Sequence, residues 1–279
     1  MQAEMEQQIV REILDELESD KMVLPSLPDV ALKVRDAIEE EDVTSSKIAK
    51  VITTDAALTA RLIQVANSPL VRGSKEITSI EAAVTRMGNA MVRNIINGLI
   101  VKQMFQPTTE VSDKKFRAFW QHSTQVAAIS HSLAGFVRLK PDQALLAGLV
   151  HDIGALPVIK RAEDIPVLLE NEDMLDSIIA TTHAKIGAAM LQKWDFPEAL
   201  AAVAAEHENL QREHDGAADY VDVVMVANLQ SYVGESHAHA LADWNSVPAF
   251  AKLGLDTEVQ VVDMDEGQSI REIQDLLLG

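Results

Sequence analysis

Apolar residues recur at intervals of three and four along nearly the whole chain, and alternating strand patterns are scarce. The sequence therefore predicts an all-α protein. Residues 5–17 place Met5, Ile9, Ile13, Leu14 and Leu17 on one helical face. Val30, Val34, Ala37 and Ile38 form a second stripe after Pro25 and Pro28. Thr44 or Ser45 can cap a helix holding Ile48, Val51 and Ile52. Asp55 can cap the next, with Leu58, Leu62, Ile63 and Ala66. Thr78-Ser79-Ile80-Glu81 reads as a capping box and Gly88 as a helix stop, with a further helix running to about Phe105. Asn67-Ser68-Pro69 reads as a helix stop with turn chemistry.

Residues 106–113, QPTTEVSD, read as a linker with Ser112 as the next cap. A long helix from about 114 to 138 carries Trp120 and His122, and Trp120 and Trp194 read as packing residues. Helices follow near 141–151, 175–194, 197–208 and 218–233, with Pro197 at a first helical position and a polar loop over 209–217. Beyond that the pattern loosens. VQVV (259–262) fits a short strand, and residues 269–278 fit a final amphipathic helix. These breaks predict two helical subdomains, 1–110 and 111–234, and a small irregular C-terminal extension, 235–279.

Charge modifies this picture at the ends. The net charge is -19, from 43 acidic and 24 basic residues. Residues 1–20 and 256–279 each hold seven acids and one base, so the two ends carry -12 of it. Both ends are amphipathic, which predicts that they dock apolar faces (Ile9, Ile13, Leu17; Ile270, Ile273, Leu277) and turn acid to water. Such acidity disfavours nucleic acid as a direct partner. Cysteine is absent, which excludes disulfides, thiolate zinc sites and cysteine nucleophiles and fits a cytoplasmic protein. No apolar run approaches the roughly 20 residues of a membrane span, so none is expected. No Gly-rich phosphate loop, Ser-His-Asp arrangement or dinucleotide fingerprint is present.

The candidate chemistry lies in histidines. His151-Asp152 ends the apolar run ALLAGLV and is followed by Ile153-Gly154, so one imidazole and one carboxylate meet at a helix end. His122 lies on the preceding helix, His183 in THAKIGAAML and His207 in AEHEN. Each falls on its own helix, which is how a bundle assembles a metal site from facing elements. His131, His214, His237 and His239 read as structural.

FWQHSTQVAAISHSLA, ALLAGLVHDIGALPVI and THAKIGAAMLQKWDFPEALAAVAAEHE resemble the HD superfamily of metal-dependent phosphohydrolases. LPSLPDVALKV (24–34), IAKVITTDAALTARLIQVANSPL (48–70) and ITSIEAAVTRMG (77–88) narrow the resemblance to its HDOD branch, over roughly residues 20–232. The resemblance implies an HD-like helical bundle over 111–234 and a divalent metal (Fe, Mn, Ni or Mg). His122, His151 and Asp152 match the family's first ligands, and His183 and His207 match the second-metal histidines of the related HD-GYP phosphodiesterases. It also marks departures. The last metal aspartate falls at Asn228, a weaker ligand for a hard cation than a carboxylate. Glu206-His207 stands where HD-GYP proteins have His-His, Ala155 stands where they have lysine, and only Asp215-Gly216 remains of their signature loop. Glu206, Glu208 and Asp222 are the carboxylates that can compensate for Asn228.

These departures imply a regulatory HDOD module with a degenerate metal site. Its expected partners are signalling proteins and, as a small ligand, a nucleotide or cyclic dinucleotide. The alternative is a metal-dependent phosphohydrolase acting on a nucleotide or phosphodiester.

Overall fold

The computed structural model of the chain describes residues 2–22, 29–39, 43–68, 71, 76–233, 238–255, 257 and 267–278. Among them every regular element is helical, as the periodicity predicts. The order is α1 (Gln2–Glu18), α2 (Asp29–Glu39), α3 (Ser45–Ile52), α4 (Ala56–Ala66), α5 (Ile80–Met104), α6 (Glu110–Ala134) and α7 (Pro141–Val150). Then come α8 (Ala155–Ala162), α9 (Pro166–Glu170), α10 (Glu172–Lys193), α11 (Glu198–Glu206), α12 (Tyr220–Ser231), α13 (Pro248–Leu253) and α14 (Gly267–Leu278). The strand expected at 259–262 lies outside the described residues, as do Pro25, Pro28, Pro69 and His237.

Side-chain caps start α3, α4, α5, α6, α10 and α12. Thr44 accepts from the Lys47 N–H and Asp55 from the Leu58 N–H, both as predicted. Two starts differ from the prediction. Ser79, not Thr78, caps α5 through the Ala82 N–H, so Glu81 sits one position too early for a capping box. Thr109, not Ser112, caps α6; its hydroxyl accepts from the Ser112 N–H, and Ser112 is buried inside the first turn. The linker is correspondingly shorter, and α6 closes at Ala134. Pro197 is the cap of α11 rather than its first residue. Gly88 interrupts α5 at φ 76°, a left-handed conformation that glycine adopts without strain. Asn67 accepts from the Ile77 N–H and donates to the Ile77 carbonyl, both at 2.7 Å, so its turn chemistry also pins the approach to α5.

Helices α7 and α12 are buried on nearly all sides and form the centre of the C-terminal bundle. α6 packs along α7, α12 crosses both, and α10 with α11 closes the far side. α2, α3 and α4 pack on α5, and α5 packs on α7, which joins the two sets. The helix end predicted at 151 is found, with His151 as the cap of α7; the helices that follow it, α8 and α9, are the ones the pattern does not single out. By composition Pro141–Ala162 is apolar enough to pass for a membrane span, contrary to the expectation above. However, 78% of its apolar window is covered by other parts of the fold, so it is core.

The described helices of the two acidic ends, α1 and α14, are docked. α1 lies on α10 with Ile9 and Ile13 buried, and Glu16 pairs with Arg161 at 2.6 Å; Met5, at the open end of the stripe, stays exposed. α14 lies on α6 with Ile270, Ile273 and Leu277 buried, and the Trp120 indole donates to the Leu277 carbonyl.

Candidate metal centre

Two glycines let the ligand-bearing helices approach. A Cβ on Gly148 would stand 2.6 Å from the Ala127 Cα, so only glycine allows α7 to lie this close to α6. A Cβ on Gly154 would overlap the His183 carbonyl oxygen, so the turn after His151-Asp152 lies directly against the α10 backbone. His151 ends α7, Asp152 opens the turn, His183 lies within α10 and His207 ends α11. His122 enters from α6.

These five side chains converge. Asp152 Oδ1 is 2.9 Å from His207 Nε2 and 3.4 Å from His183 Nε2. Asp152 Oδ2 is 3.3 Å from His151 Nε2 and 3.7 Å from His122 Nε2. The carboxylate thus faces one histidine pair with each oxygen, and each resulting triad has its ligand atoms within 4.8 Å of one another. Three imidazoles are oriented from behind. His151 Nδ1 lies 2.8 Å from the Gly148 carbonyl, His183 Nδ1 2.9 Å from Ile179's and His207 Nδ1 3.0 Å from Val203's. A carbonyl only accepts, so Nδ1 carries the hydrogen and each Nε2 turns its lone pair toward the cluster.

That arrangement is poorly satisfied by protein alone. Asp152 Oδ1, His183 Nε2 and His207 Nε2 are buried and make no aligned hydrogen bond. His151 Nε2 and His122 Nε2 stand 3.2 Å apart. Burial pushes the Asp152 carboxyl up, but the imidazoles of His151 and His207 outweigh it and hold it well below the ordinary carboxylate range. Burial pushes His207 down, and Asp152 outweighs that effect, raising it. Several lone pairs aimed at one gap, with orienting carbonyls behind them, fit a cation. The residues present therefore suit a divalent metal.

The remaining sequence candidates divide clearly. Glu208 stands at the rim, 3.8 Å from His183 Nε2. Glu206 is engaged by Arg212 Nε at 2.6 Å. Asp222 is buried and held by Arg212, His214 and the Asp219 N–H. Asn228 is buried, and its Oδ1 has no hydrogen-bond partner. His214 belongs to the Arg212 group, away from Asp152, in keeping with its structural reading.

An open cleft of about 520 Å³ leads to Asp152 and His183. It includes residues that the sequence did not single out. Tyr232 stacks on His122 with ring centroids 4.9 Å apart, and its hydroxyl is 3.3 Å from His122 Nε2. Lys115 lines the cleft and pairs with Asp176 at 2.7 Å. Its seven-residue spacing from His122, two helical turns, was the available signal. Ala155 contributes a buried methyl group where HD-GYP proteins have lysine.

The comparisons follow this geometry. A crystal structure of a Shewanella amazonensis SB2B protein, whose name includes the words metal-dependent phosphohydrolase, superposes with a TM-score of 0.87 at 29% identity. It covers 98% of this chain and 99% of that one. A Geobacter sulfurreducens HDOD domain protein with unknown function superposes with a TM-score of 0.66 at 22% identity, covering 99% and 98%, which shows the shared fold. An uncharacterized protein of Treponema pallidum (strain Nichols) is 27% identical over 220 residues. That match spans 74% of this chain but only 42% of the relative. The HDOD domain model matches residues 24–210, two thirds of the sequence and all five converging side chains, and the chain belongs to the HDOD family.

Proposed function

We propose that this HDOD protein is a regulatory module whose His122, His151, Asp152, His183 and His207 hold a divalent metal, and whose cleft receives a small ligand or a signalling partner. The observation that carries this reading is the set of buried, carbonyl-oriented Nε2 lone pairs facing the two Asp152 oxygens. Four imidazoles and one carboxylate suit Fe, Mn or Ni better than Mg, which prefers oxygen ligands. A metal there would supply Lewis acidity toward a phosphate oxygen.

The regulatory reading rests on what surrounds the cluster. Phosphoryl chemistry needs a cation to meet developing charge. Among the described residues, Lys115 is the cationic side chain lining this cleft besides the histidines, and it is committed to Asp176 and Glu172. Asp176 and Glu208 add negative charge to the same walls. A second reading, a metal-dependent phosphohydrolase for a nucleotide or phosphodiester, draws on the open path to Asp152 and on that carboxylate's position between two histidine pairs.

Metal analysis of the purified chain, followed by assays with bis-p-nitrophenyl phosphate and cyclic di-GMP, separates the two. The regulatory reading expects about one or two ions per chain, lost in Asp152→Ala, and no turnover. Turnover abolished by Asp152→Ala would establish the hydrolase instead. An absence of bound metal under Fe, Mn and Ni loading would defeat both.

A further inference from the structure

A second, smaller cleft of about 160 Å³ opens on the seam between the N-terminal helices and the bundle. Its donors come from three helices: Arg35 on α2, Arg93, Asn94 and Asn97 on α5, and Gln143 on α7; the Trp194 turn after α10 closes the wall and offers a carbonyl to Arg35. Two guanidiniums share one small cavity in a chain of net charge -19. Arg93 is half-buried and makes no hydrogen bond or ion pair with any described residue. Arg35 donates one N–H to the Trp194 carbonyl at 3.3 Å, and its Nε is 3.9 Å from Asp36, which leaves most of its donors uncommitted. Tyr220 donates to Gln143 Oε1 at 2.9 Å, so the Gln143 amide hydrogens remain to be used. Asp142, the carboxylate behind Asn94, already accepts from Asn94 Nδ2 at 3.2 Å. Asp195 is exposed at the rim.

We propose that this cleft binds a small oxyanion, either free phosphate or the terminal phosphate of a small ester. Arg35, Arg93, Asn94, Asn97 and Gln143 bring hydrogen-bond donors to a wall that is otherwise largely apolar; two of these groups are fixed positive charges, and guanidinium pairs match the oxygens of a tetrahedral anion. The volume admits the anion and falls below the roughly 300 Å³ at which pockets for whole drug-sized ligands begin. The placement has a structural consequence. Gln143 lies in the first turn of α7, which ends at His151, and Leu200 of the same cleft lies on α11, which ends at His207. An anion clamped here ties α2 and α5 to the two helices that present those histidines. The proposal does not depend on metal binding at Asp152.

The test is titration of the full chain with inorganic phosphate, by calorimetry and by thermal shift, with ionic strength held constant by chloride. The wild type is expected to bind saturably. Arg93→Gln is expected to weaken binding at least tenfold, and Asn97→Asp, which adds a like charge to the ligand, by a similar factor. Asp152→Asn is expected to leave it unchanged. Retention of full affinity in both Arg93→Gln and Asn97→Asp, with circular dichroism showing folded chains, would overturn the proposal. So would loss of phosphate binding in Asp152→Asn alone, which would place the anion at the histidine cluster, or an equal thermal shift from chloride. A parallel titration with AMP distinguishes the sources: tighter binding than phosphate assigns an ester, weaker binding assigns the free anion.

Discussion

Two groups of histidines and carboxylates lie in the C-terminal bundle, and they are built to opposite ends. Around Asp152, three imidazoles turn lone pairs toward a carboxylate with His122 beside them, and buried acceptors remain without hydrogens to accept. Around Asp222, an arginine fills the space. Arg212 reaches Glu206, Asp219 and Asp222, while His214 and the Asp219 N–H complete the Asp222 carboxylate. His214, Asp219 and Asp222 would also pass for ligands by distance alone. Residue type and proximity do not separate the groups; donor bookkeeping does. A satisfied cluster holds the α11–α12 loop, and an unsatisfied one invites a cation.

Adding and removing metal should separate the groups most sharply. An ion that binds only the folded chain, at a thousandfold excess over its dissociation constant, stabilises by about 4 kcal/mol. Chelation should therefore lower the wild-type melting temperature, and Asp152→Ala should abolish the response. Asp219→Asn should be destabilised yet keep the response; an equal loss of the metal response in Asp219→Asn would erase the distinction. The next effect in size is Arg212→Ala. It strips the buried Asp222 and half-buried Asp219 of their cation, which should cost about 3 kcal/mol in urea unfolding, as for other broken buried pairs. Metal content should be unchanged.

A smaller effect tests how the helices are brought together. Gly148→Ala would push a methyl group against the Ala127 backbone and separate α6 from α7. Overpacking of this kind costs about 2 kcal/mol. Because Gly148 also supplies the carbonyl behind His151 while α6 carries His122, metal affinity should fall with it. Stability lost without any change in metal affinity would show that the cluster tolerates a shift between these helices.

The sequence revealed the cluster better than its surroundings, for physical reasons. His122, the His151-Asp152 pair, His183 and His207 come from four distinct helical segments, and the bundle fold brings such segments face to face. Tyr232 carries no comparable signal: its stacking on His122 depends on where α12 crosses α6, which no local pattern encodes. Glu206 adjoins His207 in sequence, yet neighbouring helical residues point about 100° apart. One therefore turns to Arg212 and the other to Asp152. The start of α6 was misplaced because Thr109 and Ser112 are both good caps, and only the observed Thr109 hydroxyl to Ser112 N–H bond decides between them. The sequence pattern ends α7 correctly at His151-Asp152 but names no helix between there and 175, because α8 and α9 are too short to show a sustained period.

Glu163 supplies the smallest effect and a control for the satisfied kind of carboxylate. It accepts from the Thr108 N–H and hydroxyl, both at 2.6 Å, and from Lys160 at 2.5 Å, stapling the segment before α6 to the end of α8. Burial pushes its carboxyl up, but Lys160 and Thr108 outweigh burial and bring it down to about 2. A carboxyl depressed in the folded state stabilises fully above its unfolded value and loses that contribution as pH falls through the folded one. The Glu163 contribution should thus be intact at neutral pH and disappear between about 4.5 and about 2. The full shift would correspond to roughly 3 kcal/mol. Lys160 is half exposed, so solvent screening reduces the expected contribution to about 1 kcal/mol. Glu163→Gln should flatten the acid limb of the stability profile by that amount and leave the chelator response untouched. A changed chelator response would mean that α8 transmits strain to the Asp152 turn, and that the satisfied and unsatisfied groups are mechanically joined.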